Sequence, residues 1–217
     1  VITGTCAPTT SAAGTLTVNT LPLVTVNPTD VTVCEGTGTT FSVTATGTGV
    51  TYQWQEDSGS GFVNLANGGV YSNVTTSTMN ISNVLGKGGY RYRAVVSGTC
   101  APAATSTSAT LTEQKNPVVS VPPSNSTICE SNNTTFSVTA TGTGLTYQWQ
   151  ESTGAPFANV SNGGVYSGVT TSTLTLTGVT AGMTGNQYRV VITGTCAPTT
   201  SAAGTLTGNT LPLVTVN

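Results

Sequence analysis

The sequence predicts an all-β fold, in which two-sheet sandwiches of about seven strands each follow one another in a head-to-tail array. Threonine and valine, which favour pleated strands, are abundant. Short runs alternate apolar and polar residues, as Phe41 and Val43 do with Ser42 and Thr44. Clusters of Gly, Asn, Ser and Pro separate these runs, as turns do. No stretch carries a sustained helical period, so the only helical segment expected is a single turn around residues 181–184.

Internal repetition predicts the domain organisation. The segment VCEGTGTTFSVTATGTGVTYQWQE, which contains Cys34, returns as ICESNNTTFSVTATGTGLTYQWQE, which contains Cys129, so the period is 95 residues (129 minus 34). Residues 1–27 also return at 191–217 with a single substitution. A fixed period of this length is the sequence signature of a repeat architecture. The predicted boundaries are 1–20 for the C-terminal strands of a preceding repeat, 21–115 and 116–210 for two complete repeats, and 211–217 for the start of a following repeat.

Charge and composition exclude several classes of partner. Only 6% of the residues are charged, and five Lys and Arg residues cannot form the basic stripe that nucleic acid requires. No apolar run approaches the roughly 20 residues that span a bilayer, so direct membrane insertion of this segment is not expected. We therefore expect neither nucleic acid nor a membrane as a binding partner.

Catalytic and metal chemistry is not expected either. The chain contains no histidine, the usual general base of hydrolases. The carboxylates that recur, Glu35 with Glu130 and Glu56 with Glu151, stand singly in each repeat and are interpreted as turn or strand-face residues. A calcium site needs several oxygen ligands close together. The sequence thus predicts a protein that is not an enzyme and has no cofactor or metal ion.

The spacing of the large aromatic residues narrows the prediction to an immunoglobulin-like sandwich. In such domains a buried tryptophan on the third strand packs against two positions, on the second and sixth strands, that often form a disulfide. A corner tyrosine precedes the second of these positions by two residues. Here both positions carry apolar residues instead. The predicted core residues of the two repeats are Trp54 and Trp149, Val43 and Val138, Ala94 and Val190, with Tyr92 and Tyr188 as corner tyrosines.

Several longer segments resemble a known family. They are VCEGTGTTFSVTATGTGVTYQWQ, NGGVYS and YRYRAVVSGTC in the first repeat, and ICESNNTTFSVTATGTGLTYQWQ and GVTAGMTGNQYRVVITGTC in the second. The chain is similar, over essentially its whole length, to the tandem immunoglobulin-like repeats of large cell-surface adhesins of the Bacteroidetes. That family includes adhesins used in gliding motility and exported by the type IX secretion system. The resemblance implies a secreted, extracellular protein at a bacterial cell surface.

The five cysteines fall into two classes. Cys34 and Cys129 come just before the turn between the first and second strands, whereas Cys6, Cys100 and Cys196 follow the sixth strand in the segment GTCAP. An extracellular setting makes disulfides plausible. The pairing can run within a repeat, as Cys34 with Cys100 and Cys129 with Cys196, or between successive repeats. Free thiols are the third alternative.

Sandwich geometry favours pairing between repeats. The two classes of cysteine stand at opposite ends of a sandwich, and strands of about eight residues separate these ends by roughly 26 Å. A disulfide requires Cα atoms within about 7 Å. In a head-to-tail array the bottom of one repeat faces the top of the next, so Cys34 can reach Cys196. The partners of Cys6, Cys100 and Cys129 would then lie outside this sequence.

The function predicted from these observations is that of a structural stalk that projects an adhesive region from the cell surface. Its partners would be neighbouring repeats of the same polypeptide. One alternative is a module that binds surface polysaccharide through loops around Tyr71 and Tyr166, the candidate ligand contacts, although the segment NGGVYS favours tyrosines packed within their loops. A second alternative is a self-assembling extracellular filament, in which copies of the chain associate with one another.

Overall fold

The computed structural model of the chain describes residues 4–6 and 10–210. They form an all-β protein, as the sequence predicts, and the expected helical turn is a 3-10 helix at Ala181–Met183. Two compact units are present. The first comprises residues up to Asp30, Thr40–Ile81 and Tyr90–Thr110, and the second comprises Val31–Thr39, Ser82–Gly89 and the chain from Leu111 onward.

The strands are short and follow the alternating runs of the sequence. Those between residues 23 and 114 are β1 (Leu23–Val26), β2 (Val31–Cys34), β3 (Thr39–Ser42), β4 (Thr44–Thr46), β5 (Thr51–Asp57), β6 (Val63–Asn64), β7 (Tyr71–Ser72), β8 (Thr78–Ile81), β9 (Arg91–Ser97), β10 (Ala104–Thr105) and β11 (Ala109–Gln114). Those that follow are β12 (Val118–Val121), β13 (Ser126–Cys129), β14 (Thr134–Ser137), β15 (Thr139–Thr141), β16 (Thr146–Ser152), β17 (Ala158–Asn159), β18 (Tyr166–Ser167), β19 (Thr173–Leu176), β20 (Gln187–Thr193), β21 (Thr199–Thr200) and β22 (Gly204–Asn209).

The second unit contains a complete sandwich. One sheet has the order β13-β22-β20-β16-β17, with β21 also paired to β20, and it faces the sheets β14-β19-β18 and β12-β15. All these pairings are antiparallel except that of β13 with β22, which is parallel. Leu174 and Leu176 of β19 are fully buried, because alternate residues of a strand point to the same face.

The first unit repeats this plan with β3-β8-β7, β1-β4 and the antiparallel series β9-β5-β6. The first two residues of β11 pair with β9 in this unit. The last four residues of β11 belong to the second unit, where they run parallel to β2 from the pair Leu111 and Val31 to the pair Gln114 and Cys34.

The core is built around one tryptophan in each unit. Trp54 and Trp149 are fully buried, and their indole Nε1 atoms donate hydrogen bonds of 2.9 Å to the carbonyl oxygens of Thr76 and Thr171. A buried indole N–H requires such an acceptor. The eight residues predicted for the core have exposed fractions of 0% to 6%; they are Trp54, Trp149, Val43, Val138, Ala94, Val190, Tyr92 and Tyr188.

This sequence is predicted to begin and end with parts of neighbouring repeats, at residues 1–20 and 211–217. Residues 211–217, predicted to begin a following repeat, lie outside the described residues. Among the described residues of segment 1–20, none belongs to a strand. Strands of a preceding repeat would need that repeat to pair with, so their assignment stays a prediction. Within the described ranges, no helix has the length and apolar character needed to cross a bilayer.

Candidate functional site

A disulfide joins Cys34 to Cys196, with 5.8 Å between the Cα atoms. Cys34 is the last residue of β2, and Cys196 follows the end of β20 by three residues. The bond spans a sequence separation of 162 and connects the first sequence repeat to the second, although both cysteines belong to the second compact unit. The predicted pairing of Cys34 with Cys196 is thereby confirmed, and the alternatives within a repeat are not formed.

A tight turn presents Cys34. Its carbonyl oxygen accepts hydrogen bonds from the Thr37 amide at 3.2 Å and from Thr37 Oγ1 at 2.6 Å. Gly36, in the middle of the turn, has a φ of 77°, a left-handed conformation that glycine adopts without steric cost. The Glu35 amide donates to the carbonyl of Gln114 at 2.8 Å, which extends the β2 and β11 pairing by one bond. The sequence CEGT therefore fixes the position of Cys34.

The hairpin that carries Cys196 is held by close backbone contacts. The Thr195 amide donates to the Thr143 carbonyl at 3.1 Å. A Cβ atom on Gly194 would lie 2.8 Å from that carbonyl oxygen and 3.0 Å from Pro117 Cγ, so only glycine fits here without a shift of its neighbours. Thr195 Oγ1 also donates to Gln114 Oε1 at 2.9 Å. These contacts place Cys196, with an exposed fraction of 8%, against the end of β11.

A cluster of charged groups adjoins Cys34 of the disulfide. Glu35 Oε1 accepts from the Asn116 amide at 2.9 Å, and Glu35 Oε2 accepts from Lys115 Nζ at 3.1 Å. Lys115 Nζ also lies 3.1 Å from Glu113 Oε1, which accepts from the Gly86 amide. The Asn116 amide, and then the Lys115 ammonium, hold the pKa of Glu35 below its ordinary value. Hydrogen bonds to Glu113 and Glu35 raise the pKa of Lys115.

The sequence predicts the two cysteines of the disulfide but not this cluster. Glu35 is expected there as a turn or strand-face residue, and no role is expected for Glu113, Gln114, Lys115 or Thr195. One signal was available, because only twelve of the 217 residues are charged and two of these, in the segment TEQKN, stand at the predicted repeat boundary. Charge concentrated at a boundary in a nearly uncharged chain would have indicated a contact there.

The corner tyrosine of the first unit has a side-chain acceptor. The hydroxyl of Tyr92 donates to Glu56 Oε2 at 3.0 Å, and the hydroxyl of Tyr71 donates to the same oxygen. The two tyrosine hydroxyls lie 3.3 Å apart. A corner tyrosine ordinarily bonds to the backbone upstream. Here its hydroxyl bonds to a carboxylate on β5, and burial together with the Glu56 charge raises the pKa of Tyr92.

The second unit has the same arrangement. Glu151 Oε1 accepts from Tyr166 at 2.6 Å, from Tyr188 at 2.7 Å and from Asn186 Nδ2 at 2.8 Å. Burial and the bond to Glu151 raise the pKa of Tyr166 to about 12. The candidate ligand contacts, Tyr71 and Tyr166, therefore each engage a carboxylate of their own unit. A role in binding polysaccharide stays a prediction.

The remaining cysteines carry free thiols. Cys6 and Cys129 are exposed, and Cys100 is half-buried. Over residues 4–6 and 10–210, no three His, Cys, Asp or Glu side chains lie close enough together to hold a metal ion.

Fold and site define the class of protein, a tandem array of immunoglobulin-like domains. The I-band fragment I67-I69 from titin has a TM-score of 0.69 and 16% identity, over 90% of this chain and 67% of that fragment. Rst D1-D2 has a TM-score of 0.61 and 16% identity, over 87% and 100% of the two chains. Extracellular domains 3-5 of Drosophila OTK have a TM-score of 0.57 and 16% identity, over 87% of this chain and 62% of that one.

These identities are low, so the likenesses concern the fold alone. The chain spans about two thirds of the length of the titin fragment. Residues 119–210 match a family model described as Domain of unknown function (DUF8696). No curated protein sequence matches the chain.

Proposed function

We propose that this chain is a non-catalytic segment of a structural stalk, which projects an adhesive region from a bacterial outer surface. The observation that carries the proposal is the disulfide between Cys34 and Cys196. It adds a covalent link between two sequence repeats that the backbone already connects at the boundary between residues 115 and 116. A spacer gains stiffness when successive repeats are tied at two points rather than one.

Polar contacts beside the disulfide support the same role. Glu35 accepts from Lys115 and from the Asn116 amide, and Thr195 donates to Gln114. These bonds hold the chain on both sides of the repeat boundary. The boundary segment also lacks the Gly- and Ser-rich composition of flexible linkers, and its prolines favour extended backbone. Each feature restricts bending at the boundary.

The cellular setting is part of the proposal. Disulfides persist in oxidising compartments, which supports an extracellular location. The resemblance to Bacteroidetes adhesin repeats supports export by type IX secretion, attachment at the cell surface and a role in gliding motility. A nearly uncharged, threonine-rich surface suits a spacer that must not bind other molecules nonspecifically.

Small-angle X-ray scattering tests the stalk. The Cys34→Ser/Cys196→Ser double variant is compared with the parent chain, both in a background in which Cys6, Cys100 and Cys129 are serine. We expect the distribution of interatomic distances to show distinct features for the parent and to become smooth for the double variant, because the variant bends at the repeat boundary and averages over many shapes. Identical distributions, with both proteins folded by circular dichroism, would contradict a role for the disulfide in stiffness.

A second experiment separates a stalk from a binding module. In a bacterium that displays the protein, one 190-residue pair of repeats (191 minus 1) is deleted. A stalk predicts a shorter surface structure that retains attachment, whereas a module in which every pair binds polysaccharide predicts weaker attachment in proportion to the pairs removed. Glycan binding by the isolated chain, absent in Tyr71→Phe/Tyr166→Phe, would favour the module.

A further inference from the structure

The far end of the second unit reproduces the backbone that presents Cys34. Cys129 pairs with Asn209 in the parallel register in which Cys34 pairs with Gln114. The Glu130 amide donates to the Asn209 carbonyl at 2.9 Å, as the Glu35 amide does to Gln114 at 2.8 Å.

The turn that follows Cys129 also has the same shape as the turn after Cys34. Ser131 has a φ of 65°, close to the 77° of Gly36 at the equivalent position, although serine rarely adopts this conformation. The Asn132 amide donates to the Cys129 carbonyl, as the Thr37 amide does to Cys34. Cys129 is exposed and its thiol is free, whereas its counterpart is joined to a hairpin cysteine.

The matching hairpin is present in the first unit. The amides of Thr20 and Thr99 donate to the Oγ1 and carbonyl oxygens of Thr48, each at 2.9 Å. In the second unit, the amides of Lys115 and Thr195 make the same two bonds to Thr143. Cys100 therefore stands on a hairpin anchored like that of Cys196.

This inference rests on the proposed stalk: we infer that Cys129 forms a disulfide with the Cys100-type cysteine in the hairpin of a following repeat. The two thiols would lose two protons and two electrons to a disulfide-bearing oxidant of the extracellular compartment, which is itself reduced to a dithiol. Two chemically different joints, meaning the contacts between one repeat and the next, would then alternate along the polypeptide. The sequence indicates which kind of repeat would supply the partner cysteine. Residues 191–217 repeat 1–27, so the segment after Thr210 is that of a repeat of the first kind, whose hairpin reads GTCAPAA rather than GTCAPTT.

The two kinds of joint differ in charge. At the boundary between residues 115 and 116, Lys115 lies within 3.1 Å of a carboxylate oxygen of both Glu35 and Glu113. The equivalents of Glu113 and Lys115 at the other end are Gly208 and Thr210, which carry no charge. A Cβ atom on Gly208 would lie 3.2 Å from Thr184 Oγ1, so a side chain at this position requires a small shift of that hydroxyl. The second kind of joint thus has the proposed disulfide of Cys129 but no lysine equivalent to Lys115.

Peptide mapping of a tandem fusion tests the pairing. The whole chain to Thr210 is followed by a second copy of residues 21–217, expressed under oxidising conditions, and digested with pepsin at acid pH, where disulfides do not exchange. We expect two crosslinked species: the VCEGTG peptide of Cys34 joined to GTCAPTT, and the ICESNN peptide of Cys129 joined to GTCAPAA.

The outcomes separate this inference from the proposed function. If VCEGTG is joined to GTCAPTT while every ICESNN peptide is a free thiol, or is joined to GTCAPTT or to another ICESNN, the alternating pairing is overturned and the described joint stands. If VCEGTG is not joined to GTCAPTT, the covalent joint on which the proposed stalk depends fails as well.

Hydrogen exchange on the same fusion tests the difference in charge. After reduction, the Asn116 amide should exchange faster at high salt than at low salt, by up to about five-fold, because an exposed ion pair is screened. The amide that follows Thr210 in the fusion should show no such increase. Lys115→Thr, which copies the second joint, should remove the response at Asn116. Equal salt responses at both joints would overturn the charge difference.

Discussion

The carboxylate of Glu35 bridges the boundary between the two sequence repeats, with Oε2 at 3.1 Å from the Nζ atom of Lys115, eighty residues further along the chain. The other oxygen accepts from the Asn116 amide at 2.9 Å. These two bonds stand beside the disulfide of Cys34, the residue before Glu35. One turn of four residues thus supplies both the covalent and the polar links at the repeat boundary.

Acid should weaken this polar link. The pKa of Glu35 is lowered from 4.5 in the folded protein, chiefly by the Asn116 amide and then by Lys115. A lowered pKa contributes stability that is fully present above 4.5 and is lost as the pH falls through the folded value. In reduced protein, we expect exchange at the Asn116 amide to accelerate below pH 4.5 relative to Glu35→Gln, in which this titration is absent. Glu130→Gln, at the equivalent turn, is the matched control and should behave as the parent does.

Alkali should weaken the same link through Lys115. Bonds to Glu113 and Glu35 raise its pKa above 10.5, so its contribution is complete below 10.5 and is lost as the pH rises through the folded value. We expect the salt response of Asn116 exchange to disappear in that upper range. Lys115→Arg, which keeps its charge at these pH values, should retain the response; a loss in both proteins would assign the effect to another group.

Loss of the disulfide should destabilise the second unit. Closing a long loop restricts the unfolded chain, so Cys34→Ser/Cys196→Ser should lower the free energy of unfolding by about 2–5 kcal/mol. The measurement is a urea titration followed by the fluorescence of Trp149, with Trp54 replaced by Phe in all proteins compared. Cys129→Ser, which removes an exposed free thiol, should change the free energy by less than about 0.5 kcal/mol. Equal effects of the two changes would contradict the prediction.

The buried indole N–H of Trp149 should matter as much as its ring. In Trp149→Phe the carbonyl of Thr171 loses its 2.9 Å hydrogen bond, and part of the core volume is left empty. We expect a loss of about 2–4 kcal/mol in the free energy of unfolding, measured by differential scanning calorimetry. Phe157→Leu, at a surface position covered by the Arg189 guanidinium, should cost much less.

High pH should also destabilise the second unit through its tyrosines. The pKa of Tyr166 is about 12, raised by burial and by its bond to Glu151, against 10.0 when the chain is unfolded. A raised pKa contributes stability that is complete below pH 10 and is lost as the pH rises to about 12. Tyr166→Phe should flatten this decline in urea titrations at stepped pH. Tyr147→Phe is the control, and a decline unchanged in Tyr166→Phe would refute the assignment.

Much of the fold could be predicted from the sequence, because the information is local. The alternation of apolar and polar residues in the segment TTFSVT predicts that Phe41 and Val43 share a buried face. The sequence spacing of 11 residues between Val43 and Trp54 indicates which strands face each other across the sandwich. The pairing of Cys34 with Cys196 could also be predicted, since it depends only on which end of a sandwich each cysteine occupies.

The tertiary structure alone decided the side-chain partners. Nothing in the sequence near Glu56 specifies that it accepts from Tyr92, and nothing near Glu35 specifies Lys115, because each pair is separated by dozens of residues and depends on side-chain approach to within hydrogen-bonding distance. Strand patterns follow from the period of a pleated backbone, which a sequence displays directly. Contacts between long polar side chains follow from register, sheet packing and rotamers together, and these are set only when the chain has folded.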